Sequence, residues 1–121
     1  MFEMNSMKPY RKLSDYESAL ISRLLSEPFV GRDEIRAQIS ECLVMPYPDG
    51  TGFIFLVPSH PMVPTKERIP VEGEGMDIDG QRIHYCLHVV DGKVDELEIV
   101  KESNSPVFRP PDPREIQVTA I

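Results

Sequence analysis

The run Ile83-His84-Tyr85-Cys86-Leu87-His88-Val89-Val90, then Asp91-Gly92, then Lys93-Val94-Asp95-Glu96-Leu97-Glu98-Ile99, decides the fold. Its first arm alternates large apolar side chains with His, Cys and His, which is the two-residue period of a half-buried strand. Ile83, Tyr85, Leu87 and Val89 then line one face, and His84, Cys86 and His88 the other. Asp-Gly between two such arms is a strong short-range hairpin signal.

The turn sets which residues meet. A two-residue turn at Asp91-Gly92 pairs Val90 with Lys93 and puts Leu87 on the same face as Glu96, mixing apolar with charged groups. A three-residue loop, Val90-Asp91-Gly92 with a bulged left-handed Gly92, pairs Val89 with Lys93 and Tyr85 with Leu97. That register gathers Ile83, Tyr85, Leu87, Leu97 and Ile99 on one face, with His84, Cys86 and His88 beside Glu98, Glu96 and Val94 on the other, so burial favours it. The preceding hairpin passes the same test with Ile78-Asp79-Gly80 as its loop. Met76 then faces Arg82, Glu74 faces His84, Glu72 faces Cys86, and Gly73 lies under the Tyr85 ring.

Working outward, Ser14-Asp15-Tyr16-Glu17 reads as a capping box that opens a helix. Tyr16, Leu20 and Leu24, widened by Ile21 and Leu25, give it one apolar stripe, and Glu27-Pro28 stops it. A second helix starts at Gly31-Arg32-Asp33-Glu34, with acidic residues in its first turn, and turns Ile35, Ile39, Cys42 and Leu43 inward. Short amphipathic helices need a sheet to lie on. Leu43 to Tyr47 and Gly52 to Val57 supply two strands around the Pro48-Asp49-Gly50 turn, and Arg68 to Met76 supplies another. The expected fold is α+β: two N-terminal helices on one face of a largely antiparallel sheet of about five strands. It forms a single domain over 1–121, with a loose leader over 1–12, a globular core over 13–102 and an extended proline-rich arm over 103–121.

Composition narrows the function. Of 121 residues, 13 are Lys or Arg and 20 Asp or Glu, for a formal net charge of -7. No basic patch is present to bind nucleic acid directly, whereas an acidic surface suits a basic protein partner. The first residues lack the basic-then-apolar pattern of a signal peptide, and no apolar stretch reaches the length of a membrane span. Cys42 and Cys86 lack metal or redox spacing and read as reduced thiols, so the expected compartment is the cytoplasm.

The candidate surface is the polar face of the three strands: Glu72, Glu74, Met76, Arg82, His84, Cys86, His88, Glu96 and Glu98. His84, Cys86 and His88 are the only metal candidates, with a glutamate as fourth ligand. At about 3.3 Å per residue the ends of that line lie roughly 13 Å apart, too far to share one ion, so no metal or other cofactor is expected. Cys86 as a nucleophile lacks an orienting third group and an oxyanion hole. The leading reading is therefore a non-enzymatic binding module that turns an acidic face toward a basic protein. A metal-dependent or thiol enzyme using His84, Cys86 and His88 is the alternative.

Arg11-Lys12-Leu13-Ser14, Gly31-Arg32-Asp33-Glu34-Ile35-Arg36, Leu87-His88-Val89-Val90-Asp91-Gly92, Leu97-Glu98-Ile99 and Ser105-Pro106-Val107 resemble a small family of uncharacterised bacterial proteins, classed as a domain of unknown function. The resemblance spans about residues 11 to 113 and brings no activity, cofactor or catalytic residue with it. Size, acidity and helix-then-sheet order are also similar to those of immunity proteins that neutralise bacterial toxins, an analogy of class alone.

Overall fold

The computed structural model describes residues 10–121. Most of the expected leader lies outside the described residues, but its last part is tied down. Arg11 and Val44 exchange backbone hydrogen bonds of 2.9 and 2.7 Å, and the Arg11 guanidinium grips Glu17 at 2.7 and 2.8 Å.

Helix α1 spans Asp15–Leu24 and has the expected capping box: the Glu17 N–H donates to the Ser14 hydroxyl, and the Ser14 N–H to the Glu17 carboxylate. Leu20, Ile21 and Leu24 are buried along one stripe. Tyr16 departs from that stripe. It stays partly exposed and donates its hydroxyl to the Pro111 carbonyl, clasping the C-terminal segment. Helix α2, Arg32–Ile39, buries Ile35 and also Gln38, a position not expected inside. The Gln38 amide group donates to the carbonyls of Pro61 and Gly92, and its oxygen accepts from the Val94 N–H. A buried side chain with its polar atoms satisfied in this way locks α2 onto the sheet.

The strands are β1 (Leu43–Pro46), β2 (Gly52–Leu56), β3 (Val71–Met76), β4 (Arg82–Val90), β5 (Lys93–Lys101) and β6 (Gln117–Ala120). They form one six-stranded sheet in the order β1-β2-β5-β4-β3-β6, and every neighbouring pair is antiparallel. The expected α+β architecture is present, with one strand more than expected. That strand comes from the proline-rich arm. A short 3-10 turn, Pro113–Glu115, redirects the chain, Ile116 plunges fully into the core, and β6 pairs along β3.

The β3–β4 hairpin has the expected register throughout: Met76 opposes Arg82, Glu74 His84, Gly73 Tyr85 and Glu72 Cys86. A Cβ on Gly73 would lie 2.7 Å from Leu24 Cδ2 and 2.9 Å from Ile116 Cγ2. Helix and arm therefore press on this strand where it has no side chain.

The β4–β5 hairpin corrects the expected loop. Asp91 (φ 51°) and Gly92 (φ 75°) are both left-handed and make a two-residue turn, so Val90 pairs with Lys93 and Val89 with Val94. A bulge then leaves Asp95 without a partner, and beyond it His88 opposes Glu96, Leu87 opposes Leu97, Cys86 opposes Glu98 and Tyr85 opposes Ile99. The bulge restores the separation of apolar from charged groups that the two-residue turn alone would have lost. Beyond the bulge each face keeps its expected residues with β5 slid two residues along β4, whereas Val94, expected on the polar face near His88, pairs with Val89 and is buried in the core.

The core lies between the helices and the sheet face of Val44, Phe53, Phe55, Val71, Ile83, Tyr85, Leu87 and Leu97. Lys101 ends the inward row of β5 and is itself buried. Its ammonium sits 2.8 Å from Asp77 and 2.7 Å from Asp79, and 4.0 Å from the centre of the Phe108 ring. Asp77 also accepts the backbone N–H groups of Phe108 and Arg109. This buried ionic knot fastens the arm to the β3–β4 turn.

Candidate functional site: the acidic sheet face

Period-2 alternation sends the expected site residues to the face opposite the helices. Glu72, Glu74, Met76 and Arg82 are exposed there, His84, Cys86, Glu96 and Glu98 are half-buried, and His88 is nearly covered. Two cross-strand rows organise the centre. One runs Gly52, Glu98, Cys86, Glu72, Thr119 from β2 to β6, and the other runs Ile54, Glu96, His88. Glu98 thus stands beside Cys86, not beside His84, because of the two-residue slide.

The two histidines do different things. His84 lies between carboxylates, with Nδ1 3.9 Å from Glu74 and Nε2 3.7 Å from Glu102. Arg82 spans the same two glutamates at 3.6 and 4.0 Å. At these distances the four side chains form a loose, hydrated cluster that a partner can rearrange at little cost. His88 is held tightly. Arg68 Nε donates to its Nδ1 at 3.2 Å and its Nε2 lies 2.9 Å from Glu98, a pattern that fits the neutral ring with its proton on Nε2.

Three neighbours complete the surface. Glu102 continues the alternation of Glu96, Glu98 and Val100, so its place was legible in the β5 sequence. Gln117 and Thr119 of β6 sit beside Glu74 and Glu72, and a shallow groove of about 280 Å³ runs among them and His84 and Cys86. Toward β1 the face turns apolar, with Ile54 paired to Met45 and an exposed Leu56 paired to Leu43. The face therefore has an acidic centre and an aliphatic flank joined at Glu96, whose carboxylate accepts from the Tyr47 hydroxyl at 3.3 Å.

Among the described residues no group of three or more His, Cys, Asp or Glu side chains is placed to hold a metal ion. His84 and His88 are instead directed to different glutamates. Burial raises the Cys86 thiol pKa, and the negative charges of Glu72 and Glu98 raise it further, which disfavours the thiolate that a nucleophile needs. Alkylation of Cys86 should accordingly rise with pH to a midpoint above the ordinary thiol range, and Glu98→Gln should bring that midpoint down. Mass spectrometry of the labelled peptide across a pH series checks both, and a midpoint near neutrality would restore the thiol-enzyme reading.

The model of a protein family described as a domain of unknown function (DUF6984) matches residues 10–111. No curated protein and no solved structure matches the chain.

Proposed function

We propose that this chain, which belongs to the domain-of-unknown-function family DUF6984, is a non-enzymatic protein-binding module whose acidic sheet face receives a basic protein. The supporting observation is the solvent-facing acidic surface among the described residues, where Glu72, Glu74, Glu96, Glu98 and Glu102 outnumber Arg68 and Arg82. In a protein of net charge -7, that field speeds encounter with a cationic partner. Specificity then comes from shape and apolar contact: Met76 lies at one end of the acidic rows, and Leu56 and Ile54 lie at the aliphatic flank. A toxin-neutralising role of the immunity type is one instance, in which a stoichiometric inhibitor masks a basic active surface.

Charge reversal tests the reading. Tagged protein should capture a basic polypeptide from its host, and the Glu74→Lys, Glu98→Lys double variant should lose it while remaining folded at the temperature of the assay. Added salt should weaken the wild-type complex, because the steering charges are solvent-exposed. Capture unchanged by the double variant and by salt would remove the acidic face from the interaction.

A further inference from the structure

The sheet ends differently on its two sides. On the β1 side the outer edge already takes the Arg11 backbone and closes at Pro46, which offers no N–H. On the other side is β6, the sequence Gln117-Val118-Thr119-Ala120, which has neither charge nor proline to blunt it. The N–H of Ile121 donates to the Pro70 carbonyl at 2.9 Å, which fixes the phase of the β3–β6 ladder. Gln117, Thr119 and Ile121 turn their backbone groups toward β3, so those of Val118 and Ala120 point out from the edge. Among the described residues no other strand pairs with this edge, and outward backbone donors and acceptors of this kind are a template for another strand.

We propose that the occupant is a second copy of the chain, joined through antiparallel β6–β6 pairing about a two-fold axis. The available groups select the register. An axis through Val118 would set Ala120 against Ile116, whose carbonyl already accepts from Arg23 at 2.8 Å and whose N–H already donates to Pro113. An axis through Thr119 pairs Val118 of each copy with Ala120 of the other, using the free donors and acceptors of both. Thr119 then meets Thr119 across the axis, a favourable cross-strand pair, and Gln117 meets Ile121. No charged side chain stands in the new ladder, although the chain as a whole is acidic. The axis is perpendicular to the sheet, so the two acidic faces lie side by side and present one enlarged surface.

Sedimentation equilibrium of the full chain over a wide concentration range tests this. The wild type should reach twice the 13.8 kDa chain mass. Ala120→Pro removes an outward N–H and leaves the ladder to β3 intact, so it should return the protein to the monomer. Thr119→Lys and Thr119→Glu place like charges across the axis and should each weaken self-association by about tenfold or more, while their mixture should restore it as a heterodimer. These charge variants keep the test decisive if the proline variant fails to fold. A wild type that stays monomeric, a dimer indifferent to Ala120→Pro, or charge variants that do not rescue each other would overturn the proposal. So would a monomer that pairs its edge only with an unrelated extended peptide.

Discussion

Asp77→Ala is expected to lower the melting temperature by about 10–20 °C, the range for breaking a buried ion pair in a domain of this size. The Asp77 side chain is 0% accessible and that of Lys101 1%, with 2.8 Å between carboxylate and ammonium. Removing the carboxylate leaves Lys101 with Asp79 and the Pro106 carbonyl, and deprives the N–H groups of Ile78, Phe108 and Arg109 of their acceptor. Asp77→Asn keeps the shape but not the charge and should fall between. Thermal unfolding of the three proteins checks the order, and an unaffected Asp77→Ala would mean that the arm is held without this knot.

The same knot sets a pH dependence. Burial by itself would raise the Asp77 pKa, but the Lys101 ammonium and the backbone donors outweigh it and hold the carboxyl far below its ordinary value. The unfolded chain therefore takes up this proton more readily than the folded one. The stabilisation is complete above the unfolded carboxyl pKa of about 4, and it is lost as pH falls below that toward the folded value. Burial lowers the Lys101 pKa, and Asp77 and Asp79 reverse this, so the net shift is upward. Its contribution is present below the unfolded lysine pKa of about 10.4 and is lost as pH rises through the folded value. The wild-type melting temperature should drop on acidification below about pH 4, and Asp77→Asn should drop less steeply.

Gly52→Ala should be the most damaging single-methyl change in the sheet, costing about 3 kcal/mol or more. Gly52 has φ +119°, and a Cβ there would lie 1.9 Å from the Leu97 carbonyl oxygen, which is backbone and cannot swing aside. Relief requires opening the β2–β5 pairing, where Gly52 opposes Glu98. Gly50 is the natural control. Its φ is +77° with nothing within 4 Å of the added carbon, so Gly50→Ala pays only local backbone strain of about 1 kcal/mol. Urea titration of both variants separates collision from strain, and equal losses would refute the distinction.

Much of the fold follows from alternation, and its limits have one cause. Alternation tests parity, so it finds which face a residue occupies but not a register displaced by two. Tyr85 opposite Leu97 and Tyr85 opposite Ile99 satisfy it equally, and only the bulge at Asp95 distinguishes them. The site residues were thus brought to the expected face while Glu98 moved from His84 to Cys86. The sixth strand was hidden by Pro106, Pro110, Pro111 and Pro113, which mask the short polar-apolar alternation after Ile116. Gln38 and Lys101 occupy inward positions of periodic elements and look like errors in the pattern. Their partners, Gly92 and Val94 for one and Asp77 for the other, come from distant turns that no local window contains.

The late arrival of β6 bears on how the chain is made. Strand β3 is synthesised well before Gln117–Ala120, and without β6 it would be the bare margin of a five-stranded sheet. Glu72 and Glu74 stand on that margin, and charged side chains there discourage pairing with neighbouring nascent chains. Carboxylates exposed on the sheet face of the finished protein would thus also guard an unfinished edge.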